Sequence, residues 1–318
     1  MIWRPGTLRI AAVALMALAL QAVGCLSLEG FASPFAVRAL LVLACLLAVA
    51  ALGQTLVVLV GGIDLAMPFV MGVANVMAAE LLGRGHPFWL VLVVVVVVAA
   101  LIGMGNGLLS AGLSVHPLIV TLGSGTVAQG AVLWWTRGFP TGSAPQGLSD
   151  FVSIGGSLGP LPVPALVPMT LVLVLLLQAA LARTPWGRRL LATGANPGAA
   201  PFSLIQPLWV WAGAFAASAA LAALAGVLLL GFTGSAHGAV GQPYLFQTIA
   251  AVVIGGTLLT GGAGSCVGTA LGALVLTQIN TLLIGVGLSP ALVQATLGAL
   301  LLVLIAVYGR ERAVRDTI

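Results

Sequence analysis

Apolar blocks of about twenty residues follow one another along almost the whole chain and leave little room for anything else. Hydrophobic residues make up 61% and charged residues 5% of the 318 positions, whereas about a quarter of the residues in soluble proteins are charged. A helix needs about 20 apolar residues to cross a bilayer core. The sequence therefore predicts an all-α, polytopic membrane protein with one membrane domain over residues 1–318 and about eight to ten spans.

The apolar blocks predict ten spans, of which the eighth is short. The expected bounds are 8–28, 35–58, 66–83, 88–110, 117–136, 162–182, 207–231, 245–260, 265–285 and 290–308. We interpret the first as an uncleaved span rather than a signal peptide. At about 1.5 Å per residue, the segment 245–260 is too short for a core of about 30 Å. A broken or re-entrant helix is expected there, surrounded by protein or by a water-filled cavity.

The arginines indicate the topology. All eleven basic residues are arginines, and eight fall into three clusters, Arg4 and Arg9, then Arg183, Arg188 and Arg189, then Arg310, Arg312 and Arg315. Positive charge stays on the cytoplasmic side of a membrane. Both termini and the loop 183–206 are therefore expected in the cytoplasm, with six spans before that loop and four after it. Since no stacking aromatic residues gather with the arginines, nucleic acid is not an expected partner.

Two longer breaks separate the spans. Residues 137–161 are rich in Gly, Pro and Ser, which predicts a loop on the outer, periplasmic side. Residues 183–206 contain Asn196 followed by Pro197, a favourable N-cap and first helical residue. This pair predicts a helix of about two turns before Pro207, and a short helix in a cytoplasmic loop is suited to docking a partner.

The reactive side chains do not form a recognisable catalytic or metal centre. Cys25, Cys45 and Cys266 lack the C-x-x-C spacing of a redox or zinc site, so we interpret them as small packing residues. His86, His116 and His237 lie near span ends and far apart in sequence, which favours structural roles. We expect no catalytic residue, no metal site and no enzymatic activity in this chain.

Glycines recur inside the spans at spacings that let helices approach closely. Gly103-x-Gly105-x-Gly107 and Gly264-x-x-x-Gly268-x-x-x-Gly272 are of this kind. The stretch Gly255 to Ser265 superficially resembles a phosphate-binding loop, but Gly262 stands where the lysine belongs. The chain is therefore not expected to bind ATP through this stretch.

A short internal sequence similarity predicts an inverted repeat. His116-Pro-Leu-Ile-Val-Thr-Leu-Gly123 resembles Ser289-Pro-Ala-Leu-Val-Gln-Ala-Thr-Leu-Gly298, which has two additional residues. In the predicted topology these two spans run in opposite directions. Transporter sites tend to lie at the interface between such halves.

The stretch Val57 to Pro68 predicts a helix reversal. Gly61 and Gly62 end the second span, and Asp64 is placed at the cytoplasmic turn to cap the helix that starts near Ala66. Pro68 falls in the first turn of that helix, where its missing N–H costs little. We assign Gly255 and Gly256 to the same class of helix-reversal residues. The alternative is that Asp64 is an intramembrane proton site.

Five motifs occur in one order and together resemble one family. They are Val60-Gly-Gly-Ile-Asp-Leu65, His116 to Gly123, Thr184-Pro-Trp-Gly-Arg188, Ala192-Thr-Gly-Ala-Asn196, and Ala250 to Thr257 followed by Gly261-Gly-Ala-Gly-Ser265. From about Gln54 to the C-terminus, the chain resembles the permease subunits of bacterial ATP-binding-cassette importers for ribose and related monosaccharides. The resemblance implies an all-helical fold of about ten spans in the bacterial inner membrane.

The resemblance also implies partners. Two permease subunits, identical or similar, would form the path through the lipid bilayer, with cytoplasmic ATPase subunits below and a periplasmic sugar-binding protein above. The permease itself would bind no cofactor, since ATP and Mg are used by the ATPase.

The resemblance gives the loop 183–206 the role of coupling to the ATPase. The residues that map onto the family pattern are Gly187, Arg188, Gly194, Asn196, Ala199, Ala200 and Ser203. The family commonly has a basic residue after the alanine pair and Ser-Gly-Ile beyond it, whereas this chain has Pro201-Phe-Ser203-Leu204-Ile205. The fit to a particular ATPase is therefore expected to differ.

A transport path needs polar groups that face an internal cavity. The candidates within or beside the spans are Gln54, Asn75, Asn106, Thr121, Gln129, Gln278, Asn280 and Gln294. Each one alone is equally well explained as a hydrogen bond between helices. As a set, these uncharged amides and hydroxyls favour a neutral polar cargo over an ion.

The competing function is an ion-coupled secondary transporter of a small polar solute that uses Asp64 or Glu80, because an intramembrane carboxylate is a functional candidate by default. Glu80 lies four residues before Arg84, a spacing that favours an interfacial ion pair.

Overall fold

The computed structural model describes residues 5–156 and 163–313. Arg4, Arg315 and residues 157–161 of the predicted outer loop lie outside the described residues. Within these ranges the chain forms twelve α-helices and one short 3₁₀ helix: α1 Pro5–Ser27, α2 Pro34–Leu59, α3 Met67–Gly83, α4 Phe88–Gly112, α5 Pro117–Trp135, α6 Gln146–Val152, α7 Leu166–Arg183, α8 Pro185–Ala195, the 3₁₀ helix Ala200–Ser203, α9 Pro207–Thr233, α10 Tyr244–Ile254, α11 Cys266–Gly285 and α12 Pro290–Ala313.

Several helices begin at a hydroxyl cap, as their sequences dictate. The side-chain oxygens of Ser33, Thr184 and Ser265 each accept a hydrogen bond of 3.2 Å from the backbone N–H three residues later, at the starts of α2, α8 and α11. Such a cap satisfies one of the free donors of the first turn. Proline follows the cap in α2 and α8, where its missing N–H is not needed.

Each of the ten predicted spans contains one helix, and the two remaining α-helices, α6 and α8, are short. Among the described helices, α1, α2, α4, α5, α7, α9 and α11 are long and apolar enough to cross a membrane. α3 and α10 are apolar but shorter, with 17 and 11 residues. The predicted short eighth span is confirmed, although its helix ends at Ile254 and not at residue 260.

α2 and α9 form the centre of the bundle, and the short helices α6 and α8 mark its two ends. Gly231, near the last residue of α9, packs against Leu148 of α6. Gly194 of α8 packs against the carbonyl of Leu59, the last residue of α2. Arg9 of α1 lies against Gly256, which follows α10. Arg9 of the first arginine cluster and the whole second cluster therefore share one end of the bundle, called here the α8 end; the opposite end is the α6 end.

Two crossings are broken, so each combines an extended segment with a short helix. After α2, residues 60–66 fold back into the bundle before α3 begins. After α9, residues 234–243 run back along α3, where Gly238 packs on Gly72 and Gly241 packs on Pro68. α3 and α10 therefore both begin inside the bundle, and they run toward opposite ends.

The packing repeats in an inverted order. α2 to α5 form one unit and α9 to α12 the other. In the first unit, α3 and α4 both pack on α9, the first helix of the second unit. In the second unit, the equivalent helices α10 and α11 both pack on α2, the first helix of the first unit. Within each unit the short helix contacts the two helices that follow it. α5 and α12, which begin with the two similar sequence segments, are equivalent and run in opposite directions.

Glycine faces allow the closest approaches. On α4, a Cβ atom at Gly107 would lie 2.6 Å from the Cα of Ala212, and Gly103 packs equally closely on α9. Gly105 points to open space. On α11, Gly268 and Gly272 pack on the backbone of Gly255 and Ala251. Because lipid tails are as apolar as leucine, this close contact contributes more to helix association than hydrophobic burial does.

We predict opposite effects for two neighbouring glycines of α4. Gly107→Ala forces α4 and α9 apart and should lower the free energy of unfolding by about 1–3 kcal/mol, the usual cost of overpacking. Gly105→Ala is the matched control and should be neutral or stabilising by up to about 1 kcal/mol, because alanine is the better helix former. Thermal unfolding in detergent measures both, and equal midpoints for the two variants would contradict this packing.

Candidate functional site

The segment after α2 begins with a tight helix end. Gly61, at φ +86°, donates to the carbonyl of Val58, and Gly62 donates to that of Val57. These two bonds form a Schellman motif, in which glycine adopts the left-handed conformation without strain. The reversal therefore occurs at Gly61 and Gly62, as their spacing suggests.

Asp64 lies deeper than the sequence suggests. It is 3% exposed and sits beside Ser218, close to the midpoint of α9, and not at a turn on the surface of the bundle. Its Oδ1 accepts from the backbone N–H of Ala66 at 2.9 Å, and its Oδ2 accepts from the Ser218 hydroxyl at 3.0 Å. The first bond closes a turn directly before α3, inside the bundle, and α3 itself begins without a side-chain cap. The expected position at the cytoplasmic turn is therefore wrong, since the turn precedes Asp64.

Three of the predicted path residues bind the backbone of the broken crossings. In the amide orientation that satisfies both of its polar atoms, Gln54 donates to the carbonyl of Asp64 at 3.1 Å and accepts from its N–H at 3.3 Å. The Thr121 hydroxyl accepts from the N–H of Leu65 at 3.1 Å. Asn75 donates to the carbonyl of Gly226 and accepts from the N–H of His237. All three side chains are fully buried.

Two further predicted path residues, Asn106 and Gln278, are also buried within the helix packing. Gln278 donates to the side chain of Gln21 at 3.0 Å. The Asn106 Nδ2 and Gln278 Oε1 atoms have no hydrogen-bond partner among the described residues. Five of the eight candidates thus contribute to the interior contacts of the bundle.

The other three candidates border cavities. Gln129 lines a cavity of about 220 Å³ between α3, α5 and the segment 234–243, together with Thr136 and His237. Asn280 and Gln294 line a cavity of about 320 Å³ at the start of α10.

Gln242 and Gln247 also line the larger cavity, and no predicted motif included them. The signal that could have found them is a pair of amides around Pro243, at the start of the shortest apolar block. The equivalent place in the first half of the repeat is filled, because Phe69 packs against Gly125 there.

Glu80 is fully engaged near the end of α3. Its Oε1 accepts from both the backbone N–H and the hydroxyl of Thr141 at 2.7 Å. Arg84 lies 3.8 Å from its Oε2 in the expected i, i+4 arrangement. The carboxylate therefore ties α3 to the loop that precedes α6.

The loop at the α8 end differs from the prediction in the position of its helix. The main helix, α8, ends at Ala195, and Asn196 is its C-cap. The Asn196 side chain accepts from the N–H of Ala199 at 3.0 Å and so opens one turn and a four-residue 3₁₀ helix, Ala200–Ser203. The expected α-helix of two turns is therefore wrong, because Leu204, in a left-handed conformation, ends it early.

The expected coupling residues fall into a packed group and an exposed group. Gly187 packs on the end of α7, Gly194 on Leu59, and Ala200 is buried. The exposed members are Arg188, Asn196, Ala199 and Ser203. Beside them, Phe202 is 92% and Leu204 is 93% exposed. This pair forms an apolar projection at the tip of the loop.

Three segments meet where α8 ends. The N–H of Gly262 donates to the carbonyl of Leu59 at 2.9 Å, and Gly194 packs against both residues. Gly255 is the C-cap of α10, and Gly256 turns the chain at φ +81°. The end of α2, the end of α8 and the loop after α10 are therefore in direct contact.

The histidines and cysteines lie at different positions in the bundle and do not form a cluster among the described residues. His116 accepts from the N–H of Leu118 through Nδ1 and caps α5. Cys45 and Cys266 are buried, and Cys25 is exposed near the end of α1.

Known proteins similar to this chain are transport permeases. The family described as the permease component of the branched-chain amino acid transport system matches residues 36–305. The ribose import permease RbsC of Haemophilus influenzae is 35% identical over 74% of this chain and 73% of its own length. RbsC of Bacillus subtilis is 36% identical over 72% and 71%. The autoinducer 2 import permease LsrC of Salmonella typhimurium is 33% identical over 74% and 66%.

No solved structure matches this chain. The family match covers nine of the ten spans in full or nearly so, together with both broken crossings and the loop at the α8 end. The chain is therefore a multi-pass membrane protein and belongs to the permease-component family of these import systems.

Proposed function

We propose that this chain is the membrane subunit of an ATP-binding-cassette importer and forms the path for a monosaccharide or a similar neutral polyol. The observation that carries the proposal is the family match together with relatives named as ribose import permeases. The cavity at the start of α10 supports a neutral cargo over an amino acid, since the described residues that line it are amides and apolar groups, without a carboxylate or arginine. A zwitterion needs charged partners when it leaves water.

The partners follow from the same proposal. A periplasmic binding protein delivers the solute, ATPase subunits bind ATP and Mg, and a second permease subunit, identical or similar, completes the path. The α8 end faces the cytoplasm, because Arg9, Arg183, Arg188 and Arg189 lie there. The α6 end and the loop 137–161 then face the periplasm.

We predict that transport depends on the partners. Liposomes that contain this chain alone should neither hydrolyse ATP nor accumulate D-ribose, D-galactose or D-fructose in response to a proton gradient. Liposomes that contain the complete importer should hydrolyse ATP faster when a sugar-loaded binding protein is added. Accumulation by this chain alone, driven by the proton gradient, would overturn the proposal.

The loop 183–206 is proposed to dock the ATPase through its exposed apolar tip. Phe202 and Leu204 project from a short helix whose base is anchored by Ala200. Exposed aromatic residues of this kind are typical interface anchors. α8 contacts the end of α2 and the loop after α10. A movement of the loop tip is therefore transmitted through α8 to both halves of the inverted repeat.

We predict that Phe202→Asp weakens ATPase binding about ten- to thirty-fold, which corresponds to about 1.4–2 kcal/mol for one buried anchor. Ala199→Arg, on the exposed face beside it, should also reduce binding. The control is Phe139→Asp, which changes an equally exposed aromatic residue at the α6 end. Binding is measured with the purified ATPase in detergent. If Phe202→Asp binds as well as Phe139→Asp, the docking role is wrong.

The alternative of an ion-coupled carrier would use Asp64 or Glu80. The geometry favours structural roles, because hydrogen bonds from Ala66 and Ser218 occupy both oxygens of Asp64. Glu80 is held by Thr141 and Arg84. Each carboxylate joins two parts of the bundle that would otherwise separate.

We predict that Asp64→Asn keeps the import rate of the complete importer within about twofold, because an amide can accept from Ala66 and donate to Ser218. Asp64→Ala leaves both groups unpaired and should lower the free energy of unfolding by about 1–3 kcal/mol. Initial uptake and thermal unfolding are measured for both variants. Equal loss of uptake in the two variants, with the stability of Asp64→Asn unchanged, would favour a proton carrier.

A further inference from the structure

Four amide side chains converge on one cavity at the start of α10. The cavity has a volume of about 320 Å³ and lies between α10, α11 and α12. Its polar groups are Gln242, Gln247, Asn280 and Gln294, which come from three different helices and the segment before α10. We call this space the amide cavity. Small-molecule sites have this form, a mostly apolar pocket of about 300 Å³ or more with a few convergent polar groups.

The amide cavity lies inside the thickness of the bundle. Asn280 is five residues before the end of α11, which corresponds to about 7.5 Å along the helix. Gln294 is four residues after the start of α12, about 6 Å from the same end. Both positions are therefore on the side of the α6 end but within their helices.

The amides of this cavity differ from the buried ones in the way they are paired. Both amide atoms of Asn75 are bonded to the backbone. Within the described part of the chain, the four cavity amides make no side-chain hydrogen bond. An unpaired amide that faces hydrocarbon costs several kcal/mol. Their common face must therefore be wet, as polar residues inside membrane segments face water-filled cavities or other protein.

The cavity is closed toward the α8 end. Ala250 and Leu276 line its wall on that side and are buried. By contrast, Gln242 and Gln294 are exposed. Below the wall, Ile63 and Leu65 of the first broken crossing pack with Leu276 in one apolar cluster. A solute can therefore reach the amides from the α6 end and meets an apolar barrier beyond them.

The lining selects a chemical class. An amide offers both donors and an acceptor, which matches a hydroxyl group that also does both. Among the described residues that line the cavity there is no carboxylate, arginine or histidine, so these residues compensate no charge. A second cavity of about 230 Å³ borders Gln247 and Asn280 on their other side, toward Leu43 and Leu47 of α2. Gln247 and Asn280 therefore border both the amide cavity and this second cavity.

We propose that the amide cavity is the place where the path first holds its solute, and that this solute is a neutral polyhydroxylated molecule. The proposal rests on the proposed function of the chain as a permease subunit. Gln242 and Gln294 bind the solute at the mouth, and Gln247 and Asn280 bind it at the inner wall. Because only a few neutral hydrogen bonds bind the sugar, its affinity is low and it can dissociate further along the path.

The test is the reaction of cysteines with a water-soluble methanethiosulfonate. Cys25, Cys45 and Cys266 are first replaced by alanine in the complete importer. Asn280→Cys is then compared with Leu175→Cys, whose position on the outer face of α7 is 53% exposed. Because only a hydrated thiol forms the reactive thiolate, Asn280→Cys should react at least about tenfold faster.

The class of solute is tested by protection. A saturating mixture of D-ribose, D-galactose and D-fructose should slow the labelling of Asn280→Cys, and L-valine should not. Labelling at the rate of Leu175→Cys would overturn the cavity assignment. Labelling that the sugar mixture does not slow, or that L-valine slows instead, would overturn the solute class.

A second variant makes the test independent of cysteine chemistry and distinguishes a failure of the cavity assignment from a failure of the proposed function. Gln294→Leu preserves the approximate size of an exposed side chain and should reduce sugar import about tenfold, with ATPase binding unchanged. If import by Gln294→Leu and labelling of Asn280→Cys both show no effect while the unmodified importer transports sugar, the cavity assignment fails and the proposed function stands. If the unmodified importer moves no sugar, the proposed function fails instead.

Discussion

Extended backbone inside a membrane bundle requires a hydrogen-bond partner for its free N–H and C=O groups, and the rest of this structure depends on how that requirement is met. Gln54, Asp64 and Thr121 serve the segment 60–66, and Asn75 serves the segment 234–243. Their side chains replace the bonds that a continuous helix would make. Two short helices can therefore begin within the bundle, and a cavity lies beside the start of the second one, α10.

The number and order of the spans could be predicted from the sequence because the length of an apolar run is set by the thickness of the bilayer. Each of the ten runs became one helix. The depth of Asp64 could not be predicted in this way. A carboxylate between two apolar runs looks the same whether the chain turns at the surface or folds back inside. The hydrogen bond from Ser218, which comes from a distant part of the chain, decides between the two.

The polar residues show the same difficulty in another form. Gln54 and Asn280 are both amides in apolar helices, yet the first is fully buried against backbone and the second borders a cavity. Composition does not reveal which way a helix faces. Gln242 and Gln247 were missed because amides around a proline at the edge of an apolar block also occur in surface loops, so the pair alone did not indicate that this segment returns into the bundle.

Both halves of the repeat contain a broken crossing, but the surroundings of its short helix differ. In the first half, Asp64 holds the turn before α3 and Phe69 fills the adjoining space. In the second half, the start of α10 borders the amide cavity. Under the proposed function, the first half of the repeat holds the bundle together and the second half binds the solute. Relatives that carry different cargoes can diverge around α10 and α12 while the first half keeps the bundle intact, which suits a family whose members are named for unlike solutes.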